Sequence, residues 1–215
     1  MLLERGNAVY GVALNFRAAL EALGGQLDRE PYQKPPEAPV LYLRPRNTWN
    51  LCGAPIPVPA GVERLKMGGT LGVVIGRTAC RVKPSDALAY VRGYTVVNDA
   101  SIPHASYFRP AIRERCRDRF CVISPAVASR YALQDPNQAE IRIHINGELR
   151  CAAFTRDLVR PIETLIADIT EFATLRPGGI LLAGEPYDAP LARAGDHVRV
   201  DIGGLASLHT EVAPE

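Results

Sequence analysis

The chain has 215 residues, 47% of them hydrophobic and 22% charged, the proportions of an ordinary folded globule long enough to bury its own core. Its 25 basic residues nearly balance 23 acidic ones, which excludes the strong whole-molecule field of a nucleic-acid or anionic-membrane binder. No apolar run approaches the roughly 18 residues of a membrane span, and the five cysteines contain no CxxC pair, so a reduced, cytoplasmic protein without a structural zinc site is expected.

The opening stretch "MLLERGNAVYGVALNFR" carries charge at Glu4 and Arg5 and has no basic region leading into a continuous apolar run, so it does not read as a secretory signal. Between Val9 and Ala60, short apolar runs alternate with proline clusters such as "PYQKPPEAPV" and "CGAPIPVPAG", which predicts loop and short strand. One strand is expected there, Val40 to Arg44, ended by Pro45. On this reading residues 1–60 pack on a β-rich core of residues 61–215, the whole making a single structural unit.

From Leu71 the pattern sharpens. "LGVVIGR" predicts a fully buried strand, "KPSDALAYVRGY" a helix capped by Ser85 with Asp86 in its first turn, and "GYTVVNDAS" a β-branched strand ending at Asp99. "EIRIHINGELRCAAF" alternates around Asn146-Gly147, the signature of a tight hairpin. "LVRPIETLIADITEFATLRPGG" predicts one long amphipathic helix with Pro161 near its start, Ile162, Leu165, Ile166 and Ile169 on one face, and Pro177-Gly178 as its stop. "GILLAG", "DHVRVDI" and "LASLHTEV" close the chain as strands. Eight or more strands against two or three helices, with no internal repeat, define an α+β, mainly β fold.

The succession "LGVVIGR…ALAYVRGYTVVNDAS…INGELR…EFATLRPGGILLAGEP…AGDHVRVDIGGLASL" resembles the fumarylacetoacetate hydrolase family from about Val9 to Val212. Two further stretches, "NFRAALEAL…YQKPPEAPVLYLRPRNT" and "SYFRPAIRERCRDRFC", are similar to the amino-terminal halves of its two-half isomerase/decarboxylases of 4-hydroxyphenylacetate (homoprotocatechuate) breakdown. The resemblance implies that family's mixed β-sheet roll. It also implies a small unsaturated 2-oxo di- or tricarboxylate as substrate, and a homodimer or a heteromer with a homologous subunit.

The family's chemistry uses magnesium or manganese, held by a Glu-x-Glu pair at the start of the VIG strand and an aspartate in the Asn-Asp motif, hard oxygen donors for a hard ion. Carried across, Asp99 stands at the aspartate, while Gly68 and Thr70 stand where the two glutamates belong. The resemblance therefore implies a weak or absent ion in this chain. Other departures run the same way. Arg115 occupies a lysine position, the Thr-Gly-Thr-Pro turn reads Ala183-Gly184-Glu185-Pro186, and "NFRAALEA" lacks the family's histidine.

Each candidate has a plainer reading beside the sharper one. Asp99 is a residual ligand or a strand-end carboxylate capping backbone donors. Glu185 lends its carboxylate to the vacated cleft or is an exposed turn residue. Arg115 and His104, with Glu185, are the catalytic candidates; His104 has no partner identifiable in the sequence. Arg109 and Arg113 belong to an arginine run (109, 113, 115, 117, 119) that attracts a multi-carboxylate substrate or is a solvated loop or subunit contact. Asn15, Arg46 and Asn47 fall in stretches near the cleft rim, with Asn15 the substrate-binding candidate. His144, Cys116 and Cys121 read as structural.

Overall fold

A computed structural model describes residues 8–215; the charged start at Glu4 and Arg5 lies outside them. The chain forms β1 (Val9–Ala13), α1 (Arg17–Leu23), β2 (Val40–Arg44), β3 (Trp49–Leu51), β4 (Ile56–Val58) and β5 (Leu65–Lys66). It continues through β6 (Gly69–Ile75), α2 (Pro84–Ala87), β7 (Val91–Asp99), α3 (Ile112–Arg115), β8 (Cys121–Ile123) and β9 (Ala128–Ser129). The last third holds β10 (Glu140–Ile145), β11 (Glu148–Phe154), α4 (Ile162–Phe172), β12 (Ile180–Leu182), β13 (Leu191–Ala192), β14 (His197–Ile202) and β15 (Leu208–Pro214).

A mixed eight-stranded sheet runs in the order β2-β1-β12-β6-β7-β8-β3, with β9 added to β7. Its two end strands are consecutive in the chain, separated by a single tight turn at 45–48, and Trp49 Nε1 donates to the Arg44 carbonyl at 2.8 Å. The sheet therefore curls into a roll. A five-stranded sheet, β11-β10-β14-β15-β4, packs across β6 and β7. Gly69 permits that approach, since a β-carbon there would sit 2.9 Å from side-chain atoms of Ile143 and Val200.

Strand alternation divides β6 between two apolar interiors. Leu71, Val73 and Ile75 join the main core with α4 and the second sheet. Val74 faces the inside of the roll, where Val9, Val97, Cys121, Ile123, Ile180 and Leu182 form a separate buried cluster. Thr70 and Gly72 share its face, so the start of β6 opens on the roll interior.

Several expectations from the sequence need correcting. The cap of α2 is Lys83, with Pro84 at the first helical position and Ser85 inside the first turn. Helix α4 ends at Phe172, not at Pro177-Gly178, because Leu175 forms a two-way bridge with Ala79 that draws the chain out straight. Its buried face is Ile162, Leu165, Ile166 and Ile169, as the periodicity requires. The expected strand in "LASLHTEV" begins only at Leu208. Helices α1 and α3 have no counterpart among the expected elements; both are short, and α1 buries only Ala19. At the Asn146-Gly147 hairpin both residues take positive φ, 54° and 85°, as a primed turn requires.

Candidate active site

Four segments meet at one end of the roll. Strand β2 brings Tyr42 and Arg44, the start of β6 brings Gly68 and Thr70, the end of β7 brings Asp99, and α3 brings Arg115. The turn after β12 adds Glu185. Tyr42 and Arg44 pair with Gly11 and Val9 across β1, which places both side chains on the inner face of the roll. There is room for the Tyr42 ring because Gly11 has no side chain; a β-carbon at position 11 would overlap it.

Asp99 is completely buried and is bonded on both oxygens. Arg44 Nε binds Oδ1, while Tyr42 Oη donates to Oδ2 at 2.5 Å and an Arg115 terminal nitrogen approaches it at 3.1 Å. The partners are thus side chains, not the backbone donors considered from sequence. Arg44 also donates to the carbonyls of Arg115 and Ala100, the latter at 2.6 Å. Burial is the largest influence and opposes its charge, but Asp99 together with Cys121 and Tyr42 outweighs it, and its pKa is raised.

Arg115 joins the two carboxylates, donating to Glu185 Oε1 at 2.5 Å while its guanidinium carbon lies 4.5 Å from the centre of the Tyr42 ring. It is buried, which corrects the picture of a uniformly solvated arginine run; Arg109, Arg113 and Arg119 are exposed. Glu185 is likewise not an exposed turn residue, its side chain being 9% accessible. Burial alone would raise its pKa, but Arg115 and then Lys66, whose ammonium is 3.5 Å away, hold it down at about 2. Desolvation and the Asp99 charge push the Tyr42 phenol upward.

Gly68 and Thr70 both face the 184–185 turn. A β-carbon at position 68 would overlap Glu185 Oε2 and sit 2.6 Å from the Asp99 carbonyl oxygen. Thr70 Oγ1 donates to the Gly184 carbonyl at 2.6 Å. Glu185 Oε2 itself is buried without a hydrogen-bond partner. Among the described residues no group of three or more His, Cys, Asp and Glu side chains is placed to hold a metal ion.

Beside the cluster lies a cavity of about 170 Å³ walled by Tyr42, His104, Tyr107, Phe108, Arg109 and Arg115, among others. His104 contacts the Ile102 carbonyl through Nδ1 at 3.0 Å. When Nδ1 carries the proton, Nε2 keeps a free lone pair. Arg113 does not reach this cavity. Asn15 is 2% exposed and ties backbone together: its amide nitrogen donates to Ala183 O at 2.7 Å and Arg160 O at 3.2 Å, and its oxygen accepts from Arg160 N at 3.0 Å. Asn47 bonds Asp118 and the Cys116 carbonyl, and Arg46 lies over Trp49, both away from the cluster. Burial pushes the Cys121 and Cys116 thiols up.

Arg44, Tyr42 and Lys66 are not singled out by the sequence. The signal for the first two is inverted: in "VLYLR" hydropathy turns Leu41 and Leu43 inward, yet Leu43 is 55% exposed and Arg44 1%.

A mixed roll carrying its acidic and cationic side chains at the mouth of β6 and β7 defines a class. The model of that class, the fumarylacetoacetate hydrolase C-terminal domain, matches residues 8–213, and the chain belongs to this family. It is 39% identical over 207 residues to the 4-hydroxyphenylacetate degradation bifunctional isomerase/decarboxylase of Escherichia coli, a match covering 96% of this chain and 47% of that protein. The chain thus spans about half the length of that relative.

Solved structures agree. The 5-carboxymethyl-2-hydroxymuconate delta-isomerase of Mycobacterium smegmatis superposes with a TM-score of 0.78 at 28% identity, covering 97% of this chain and 79% of that one. Fumarylpyruvate hydrolase of Pseudomonas aeruginosa, solved with Mn2+ and pyruvate, gives a TM-score of 0.83 at 22% identity over 97% of this chain and 90% of that one, a likeness of fold. No helix among the described residues is long and apolar enough to cross a membrane.

Proposed function

We propose that this chain is a cytoplasmic subunit of a 4-hydroxyphenylacetate-pathway isomerase/decarboxylase. It acts on 5-carboxymethyl-2-oxo-hex-3-ene-1,7-dioate or its decarboxylated diene, in company with a homologous, metal-competent subunit. The observation that carries the reading is the near-complete match to just under half of a bifunctional enzyme with that name. The site's chemistry supports a polycarboxylate ligand: Arg44, Arg115 and Lys66 set three positive charges against two carboxylates beside a cavity that Arg109 also lines. Arg115 and Arg109 bind substrate carboxylates, the Tyr42 and Phe108 rings exclude water, and His104 Nε2 accepts or returns the proton moved along the diene.

The family's magnesium or manganese, when bound, withdraws electrons from a 2-oxo group and stabilises the enolate. The donors present here do not suit it. Both Asp99 oxygens are taken by arginine and tyrosine, position 68 has no side chain, and Thr70 spends its hydroxyl on Gly184. The chain's own share of the chemistry is accordingly substrate binding, positioning and the proton transfer at His104.

A second reading, a non-catalytic scaffold for the metal-competent subunit, is favoured by the same ion pairs, which commit Arg115 on two sides. The two are separated by following decarboxylation through the substrate's ultraviolet absorbance, with this chain alone, its homologous partner alone, and both. Activity that needs both, with a KM raised by Arg109→Ala in this chain, supports the first. Joint activity indifferent to Arg109 supports the scaffold, and full activity of this chain alone with magnesium refutes both.

A further inference from the structure

We propose that the guanidinium groups of Arg44 and Arg115 are the resident cations of this cleft, held by Asp99 and Glu185 in place of a divalent ion. The inference rests on the reading that the chain binds no such ion of its own, and it adds what has replaced it.

Charge comes first. Arg44 is 1% exposed and Arg115 4%, in direct contact with carboxylates that are also buried. Ionised groups are tolerated at that depth only in closely paired sets. The pair carries two positive charges, as a magnesium or manganese ion does, and Asp99 touches both.

Geometry follows. Position 68 has lost its side chain, and the carboxylate of Glu185 enters from the opposite turn to lie against the bare α-carbon. An acidic group is therefore still delivered to the start of β6, from the turn after β12, and its bonded oxygen faces Arg115. Arg44 reaches the same spot from β2, four places from β7 in the sheet order, because the roll closes. Its remaining donors are fixed by the Ala100 and Arg115 carbonyls. A guanidinium suits this task, since its planar fork serves several oxygens at once and stays charged at any physiological pH. Unlike an ion it cannot dissociate, so the cleft stays loaded in the presence of a chelator.

The test uses the full chain. Electron paramagnetic resonance counts free Mn2+ over wild type and over the double variant Arg44→Met/Arg115→Met. Wild type should take up none at millimolar ion. The variant, with Asp99 stripped of both cationic partners and Glu185 left with Lys66 alone at 3.5 Å, should gain affinity by at least about tenfold, and Mn2+ should raise its melting temperature reversibly with EDTA. A variant that folds only when Mn2+ is present supports the proposal equally. A folded variant that binds no Mn2+ overturns the proposal and leaves the ion-free reading standing. Saturable binding by wild type, abolished by Asp99→Asn, overturns that reading itself. Should the double variant be unfolded with and without Mn2+, Glu185→Ala decides: formate should raise its melting temperature and leave wild type unmoved, because a small carboxylate enters the vacated space and replaces the missing counter-charge. No formate effect refutes the proposal.

Discussion

The carboxylate of Glu185 occupies the space in which a side chain at position 68 would stand. Gly68→Ala should therefore destabilise the protein by about 1–3 kcal/mol, the usual range for overpacking. In a Glu185→Thr background the loss should shrink without vanishing, because the Asp99 carbonyl oxygen still lies 2.6 Å from the added carbon. Urea unfolding of the four proteins gives the coupling directly, and equal losses in both backgrounds would show that the two positions are independent.

Positions 43 and 44 should respond in inverse order to their hydropathy. Arg44→Met strands Asp99 as a buried, less compensated charge and should cost about 3–5 kcal/mol. Leu43→Ser, at a site 55% exposed, should stay within about 0.5 kcal/mol of wild type. Chemical denaturation monitored by circular dichroism checks both.

Glu185 makes the fold acid-sensitive in a defined window. Its folded pKa of about 2 lies below the ordinary value of 4.5. The stabilisation is therefore complete above pH 4.5 and is lost as pH falls toward 2, where the folded state must take up the proton. Melting temperatures measured between pH 5 and 2.5 should fall less steeply for Glu185→Gln than for wild type, from a lower starting value.

Asn15→Ala should lower the melting temperature through broken backbone links. The change frees the Arg160 N–H and two carbonyls that the amide now satisfies, and a buried unsatisfied group costs about 1–3 kcal/mol. If Asn15 instead served substrate, the variant would melt normally and show only a raised KM.

Thiol labelling should follow burial. Cys80 is exposed and should react with iodoacetamide in the native protein, while Cys121 and Cys151 are buried and should label only on unfolding. Burial, then Asp188, pushes the Cys151 thiol up to about 12, which slows it further. Mass spectrometry after timed quenching reads the order.

Most strands are legible in the sequence because alternation and turn chemistry are local: Val40–Arg44, Asp99 as a strand end, the Asn146-Gly147 hairpin and the buried face of α4 all follow from neighbours in sequence. That Gly68 and Thr70 stand where the family pattern has carboxylates is an expectation carried by the resemblance alone. What takes their place is not, for a physical reason. Whether Arg44 faces solvent or Asp99 depends on the sheet curling until its end strands meet, and whether Glu185 is exposed depends on a cation 70 residues away. The short α1 and α3 escape because neither offers a long apolar stripe: seven and four residues carry too few periodic positions.

The joining of distant segments at the mouth of the roll also governs how the chain must fold. Arg44 bonds Asp99 55 residues on, Arg115 reaches Glu185 across another 70, and Asn15 spans 168 to Ala183. Contacts of such separation form slowly, because chain closure precedes any reward. During synthesis Arg44 emerges long before either carboxylate and stays hydrated until Asp99 arrives. Arg115 waits for Glu185 in turn. Charge burial is thus a late event, completed only when the turn after β12 docks, and a nascent chain stalled short of residue 185 would hold a soft, cation-rich opening where the finished protein has a closed set of buried ion pairs.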